Sequence, residues 1–195
     1  MKQFLALVLI CLSSQTYADV AGSKFFIGSS AFMLFNLEDS DEPPDFYQLN
    51  IGYQLTKKDV VSIEAITWKY YAPLGIPWEK MSEEANKFPG EVNAEGVGLA
   101  YQRFLWGNLY SALHATWFKQ EYIDSSGTKL GEGEQLFLTF RLGYHIKLGS
   151  FAFIEPNVAV THWPINTGLP DSFQAQEDRW GKFQVEPGMH FGFPF

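Results

Sequence analysis

The chain has a single cysteine, few basic side chains and no apolar run long enough to cross a bilayer as a helix. One thiol, Cys11, excludes an internal disulfide framework, so packing and backbone pairing must hold the fold. With 14 Lys and Arg against 22 Asp and Glu, the net charge is −8, which argues against a nucleic-acid partner. The apolar run Phe4 to Leu12 is far shorter than the ~20 residues of a spanning helix. No G-x-S-x-G elbow, phosphate loop, H-x-x-x-H or H-E-x-x-H spacing occurs, so no cofactor is expected.

Aromatic residues, by contrast, are plentiful at 17%, although mean hydropathy is only −0.11. Lys182 to Phe195 shows how they are arranged. Phe183, Val185, Pro187, Met189, Phe191, Phe193 and Phe195 alternate with Lys182, Gln184, Glu186, Gly188, His190, Gly192 and Pro194. Period two means a strand with one oily and one polar face. Eight such runs are expected, at 24–36, 46–55, 60–70, 93–105, 109–121, 134–147, 151–163 and 182–195. Each reaches the ~9–11 residues of a tilted membrane strand. Three connections are short, at 56–59, 106–108 and 148–150. Four are longer and polar, at 37–45, 71–92, 122–133 and 164–181.

Alternation is clean in the second, sixth and seventh runs. There Leu49, Ile51, Leu138, Phe140, Val158 and Val160 oppose Asn50, Gln48, Thr139, Arg141, Asn157 and Thr161. The first run is apolar on both faces, and the third loses alternation at Thr67-Trp68-Lys69, where a bulge is possible. Pro156 and Pro187 count against regular ladders, and each is expected at a bulge or an opened ladder position.

Over residues 19–195 the chain resembles the small eight-stranded outer-membrane barrels of Gram-negative bacteria. The resemblance implies an all-β fold, an eight-stranded antiparallel up-and-down transmembrane β-barrel, with periplasmic termini and long loops outside. It implies outer-membrane lipid and lipopolysaccharide as surroundings. Phe191, Phe193 and Phe195 resemble the C-terminal signal read by barrel-assembly machinery. Residues 1–18 read as a secretory signal peptide, with Lys2, a short apolar core and Thr16-Tyr17-Ala18 at the cleavage site. A lipidated Cys11 is the alternative, and Ile10 before it argues against that.

A bore of eight strands is about filled by its side chains. Parity places Glu64, His114, Arg141, His145, Glu155, Glu186 and His190 inside, where the acids are expected to pair with Arg141 and the histidines. Such a layer is either a structural polar core or a proton or metal site. The acidic run Glu38 to Asp45 is a solvated loop or a divalent-cation site at the lipopolysaccharide surface. In the loop 71–92, Glu79 to Lys87 is expected as a short helix. Trp163, Phe173 and Trp180 fit an outer aromatic girdle or a binding surface.

Three functions are compatible with these residues. The first is a non-enzymatic integral barrel, structural or binding ligands through its outer loops. The second is a lipid A or phospholipid acyl-modifying enzyme. A deacylase pattern would use the outward His162 with Glu177, but Pro164 stands where the hydroxyl belongs. The third is a soluble periplasmic barrel, which would need the opposite distribution of faces.

Overall fold

The computed structural model describes residues 23–195 except Asp41, Ser82 and the side chain of Trp78. The expected signal peptide and Cys11 lie outside the described residues. Nine antiparallel strands form one sheet: β1 (Phe25–Ser30), β2 (Tyr47–Gln54), β3 (Asp59–Tyr70), β4 (Gly90–Trp106), β5 (Leu109–Asp124), β6 (Lys129–Tyr144), β7 (Ile146–Leu148), β8 (Ala152–Thr167) and β9 (Phe183–Pro194). Neighbours in sequence pair, β1 pairs with β9, and β7 continues β6 along β8. The sheet therefore closes on itself as a ring of eight strands.

The side chains follow the alternation with polar groups inward. In β2, Gln48, Asn50 and Gln54 are buried while Tyr47, Leu49 and Ile51 are exposed. In β8, Glu155, Asn157 and Thr161 are buried, and Val158 and Val160 face out. At the level of Glu95 the outward face changes from apolar to charged. Glu95 stands opposite Lys119 and Lys119 opposite Glu134, and Lys129 bridges Glu121 and Glu132. Opposite charges facing each other across a ladder support the pairing.

The bore is less uniformly polar than parity implies. Towards the long loops it is filled by Tyr70, Phe88, Val92, Phe118, Tyr122, Trp163 and Phe173. At the short-turn end Val60, Phe104, Tyr110 and Ala112 form a second apolar plug, with Phe26 packed against it. Trp163 and Phe173 are fully buried, so neither belongs to an outer girdle. Phe137 stacks on Trp163 at 5.8 Å, beside a register shift in β6–β8.

Four expectations change. β1 is shorter than 24–36, because the chain turns into a 3-10 segment at Ala31–Leu37, started by Ser30 accepting from the Phe32 amide. The region 122–133 is mostly strand, a hairpin whose turn is tied by Asp124 accepting from Ser126 and Thr128. β3 keeps register through Thr67-Trp68-Lys69 without a bulge, with Trp68 packed on Tyr70 and Phe137. Glu79 to Lys87 forms two 3-10 turns, Trp78–Lys80 and Glu84–Asn86, and the one α-helix among the described residues is α1 (Asp171–Glu177).

These loops close the ring's mouth. Phe173 of α1 stacks on Phe88 at 4.8 Å. Arg179 donates to the Ala85 carbonyl and to Asn86. Gly75 lies so close to the Gly181 carbonyl that a Cβ there would sit 1.8 Å from its oxygen, so only glycine fits.

The hydrogen bonds from Ser126, then the Thr128 amide, hold the Asp124 carboxyl below the ordinary aspartate range. A depressed value stabilises the turn above the unfolded value, and this is lost as pH falls through the folded one. The amides of Ser126 and Thr128 should therefore titrate together in NMR with a midpoint below that of an unstructured aspartate. A normal midpoint would mean that the carboxylate does not hold the turn.

Candidate functional site

Half-way along the bore, between the two apolar plugs, lies a layer of ionisable side chains. Glu64 on β3 is 2% exposed and sits at its centre. The opposing position on β4 is Gly98, where a Cβ would come within 2.8 Å of the Glu64 carboxylate and 2.6 Å of the Thr116 hydroxyl. The small residue makes room for the carboxylate. Thr116 donates to Oε1 of Glu64, and His114 Nδ1 donates to Oε2 at 3.0 Å. Gln48 adds a longer contact to Oε2 at 3.4 Å. His114 then uses its other nitrogen to accept from Arg141 Nη1 at 2.7 Å.

A second pair lies closer to the short turns. His145 Nδ1 donates to Glu155 Oε1 at 2.8 Å, and Gln102 donates to the same oxygen at 3.0 Å. The imidazole is held edge-on against Phe104 and tilted against Phe153. Across β8 and β9, Asn157 donates to His190 Nδ1 at 3.2 Å.

The seven bore residues named from parity thus occupy one region, and their pairing differs in one respect. Each histidine is tied to a neighbour, but Arg141 is not paired with an acid. Among the described residues no carboxylate lies within 4.0 Å of its guanidinium, and its bonds go to His114. Glu186 faces the same cavity from β9. The layer also recruits Gln48, Gln102, Thr116 and Asn157. Their inward parity is visible in the sequence; which carboxylate each serves is not, because that depends on reach across the bore.

The layer borders a cavity of about 410 Å³. Glu64, His114, Arg141, Glu186 and His190 form its polar part, and Phe32, Phe35, Phe46, Trp68 and Phe137 its apolar part.

His162 and Glu177 are not brought together. His162 faces outward, and its Nδ1 donates to the Lys182 carbonyl at 2.6 Å. Glu177 is buried beneath α1, accepting from Trp163 Nε1 at 2.9 Å and Asn166 at 3.1 Å. The ring wall separates them, and Glu177 anchors the loop plug. The acidic loop is also engaged within the protein: Glu42 pairs with Lys87 and Asp45 with Lys69, each at 2.9 Å. Among the described residues no group of three or more His, Cys, Asp or Glu is placed to hold a metal ion.

No protein-family model, curated protein or solved structure matches the chain.

Removing a buried acceptor strands the donors that served it, at a cost of about 1–3 kcal/mol each. Glu64→Ala should therefore lower the denaturant midpoint sharply, and Glu64→Gln, which still accepts a hydrogen bond, should lower it less. An unchanged midpoint in both variants would show that the layer carries no stability.

Proposed function

We propose that the chain is an integral outer-membrane β-barrel of a Gram-negative envelope. Its termini are periplasmic, its long loops extracellular, and its role is non-enzymatic, either structural or ligand-binding. One observation carries this: the radial order of side chains is inverted. Ile63, Val97, Leu99 and Leu113 are exposed on the outer wall while Glu64, Thr116 and Gln120 are buried inside. Water would penalise such a wall, since exposed apolar patches this continuous are rare on soluble monomers. Lipid favours it, and a closed ring leaves no unpaired edge over most of its circumference.

The limits of the apolar wall support the same reading. Below it lie the exposed Trp106, Phe151, Phe25 and Phe195, and above it Tyr47, Trp117 and Phe183. Aromatic rings at two levels suit the two lipid–water interfaces. The charged row of Glu95, Lys119, Glu121, Glu132 and Glu134 then begins where headgroups would. No helix among the described residues is long and apolar enough to cross a membrane, and on this proposal the strands make the crossing.

On this proposal, outer-membrane lipid and lipopolysaccharide contact the wall, and barrel-assembly machinery reads Phe191, Phe193 and Phe195. A signal peptide over residues 1–18 supplies export. Acyl modification of lipid A has less support, because His162 has no hydroxyl bonded to it to act as nucleophile.

Leu99 lies mid-wall and is 66% exposed. Arginine at the bilayer midplane costs about 2–4 kcal/mol. Leu99→Arg should therefore weaken folding into phospholipid vesicles by that amount, whereas Glu132→Arg, beyond the wall, should change it little. Native protein that stays in solution without detergent and does not float with vesicles would overturn the proposal.

A further inference from the structure

The net charge of −8 hides an uneven distribution. The loops 37–45, 71–92, 122–133 and 164–181 hold far more acidic than basic side chains. The opposite, short-turn end is basic. Lys24, Lys57, Lys58, Arg103 and Lys147 lie there, and outside the bore Asp59 is the one acidic side chain among the described residues of that end.

All of these basic residues but Lys147 are neighbours. The Lys24 carbonyl accepts from Gln54 at the end of β2, and the Lys58 carbonyl accepts from Phe104 of β4, each at 2.8 Å. Between them Lys57 stands exposed in the β2–β3 turn. Thr56 Oγ1 fixes that turn by accepting from the amides of Lys58 and Asp59, at 3.1 and 3.0 Å. Arg103 faces Asp59 across the β3–β4 ladder. The basic residues thus form an arc over β1 to β4, and Lys147 on β7 lies apart from it.

The acid of the arc is already occupied. Asp59 accepts from Thr56, from Tyr101 and from Arg103 Nη1. Arg103 uses Nη1 alone for its bonds to Asp59 and Tyr101; its Nη2 and Nε carry no bond to the described residues, and its side chain is 51% exposed. A guanidinium with an unoccupied edge presents a fork that fits a phosphate through two parallel hydrogen bonds. Lysines beside it add charge without that geometry, which favours a phosphate with net negative charge.

The surroundings decide between a lipid and a soluble anion. Arg103 shares the outward face of β4 with Leu99 and Tyr101, and Leu105 and Trp106 beside it are exposed. At the β1 end of the arc Phe25 packs on Tyr53 at 4.8 Å. An apolar hollow of about 890 Å³ runs along the wall above, from Phe25 and Tyr53 past Tyr101 to Phe140. Long basic side chains at such a boundary lay their stems on apolar surface and keep their heads in water. A headgroup phosphate on Arg103 sets acyl chains against these residues, whereas a free phosphate uses none of that surface.

We infer that the arc of Lys24, Lys57 and Arg103 binds one anionic phospholipid of the periplasmic leaflet, its phosphate on Arg103 and its acyl chains along the wall above. This rests on the membrane proposal, which sets the short turns at that leaflet.

The test uses the purified protein in micelles of an uncharged detergent, with phosphatidylglycerol and phosphatidylcholine as ligands and native mass spectrometry to count bound lipid. One phosphatidylglycerol should be held about tenfold or more tighter than phosphatidylcholine, since each basic residue near an anionic headgroup is worth about fivefold. Lys24→Gln combined with Lys57→Gln should remove most of that preference. Arg103→Lys keeps the charge and the partner of Asp59 but loses the fork, and should weaken phosphatidylglycerol several-fold. Lys147→Gln, the same charge change at the same end but outside the arc, should leave it unchanged. Inorganic phosphate at equal ionic strength should not displace the lipid. Flotation with phosphatidylcholine vesicles reports the membrane proposal separately. Protein that floats but holds both lipids equally, loses phosphatidylglycerol as readily through Lys147→Gln as through the arc variants, or releases it to inorganic phosphate, overturns the site alone. Protein that does not float overturns both.

Discussion

Closing eight strands into a ring leaves a bore about as wide as the side chains that enter it, so volume constrains everything inside. Several large residues enter where a small one stands beside them. Phe118 lies over Gly96, Tyr110 over Gly143, and Thr116 with Glu64 over Gly98. A Cβ on any of these glycines would fall within 2.6 Å of the neighbouring side chain. The glycines on β4 and β6 are therefore the spaces that let the plugs and the polar layer form.

Volume in turn sets the electrostatics. A filled bore holds little water, so each buried charge must find a protein partner. Glu64 and Glu155 do so through His114 and His145, and uncharged donors complete their shells. Apolar plugs close the bore above and below the layer. Arg141 is the exception, tied to an imidazole where a carboxylate would be expected. It also borders the cavity of about 410 Å³, so the imperfect pairing and the unfilled space coincide.

The early end of β1 has a local origin. Ser29 sends its hydroxyl to the Gln48 carbonyl, and Ser30 caps the segment that follows. The next residues, Ala31–Leu37, then coil as a 3-10 helix, so the β1–β9 ladder stops at Ser30↔His190. Pro187 lies past that stop on β9 and Pro156 opposite the interruption between β6 and β7. Both prolines thus stand outside those two ladders, and the β8–β9 register runs through both without a bulge.

Alternation alone was enough to locate eight runs, to assign inward and outward residues in most of them and to turn seven ionisable groups towards one region of the bore. It is a local property, written two residues at a time, and closure of the ring only had to respect it. The limits of β1 and the hairpin at Asp124 were not legible, because an apolar run such as Phe25 to Leu37 has no polar face to mark where a strand stops. Parity along β8 sets Trp163 on the same face as Thr161, but it could not show that Phe173 of the loop turns in to form a plug with it, that Glu177 anchors them, or that Arg141 lacks an acid. Those outcomes depend on which side chains reach across the bore from strands distant in sequence, and such distances exist only once the ring has closed.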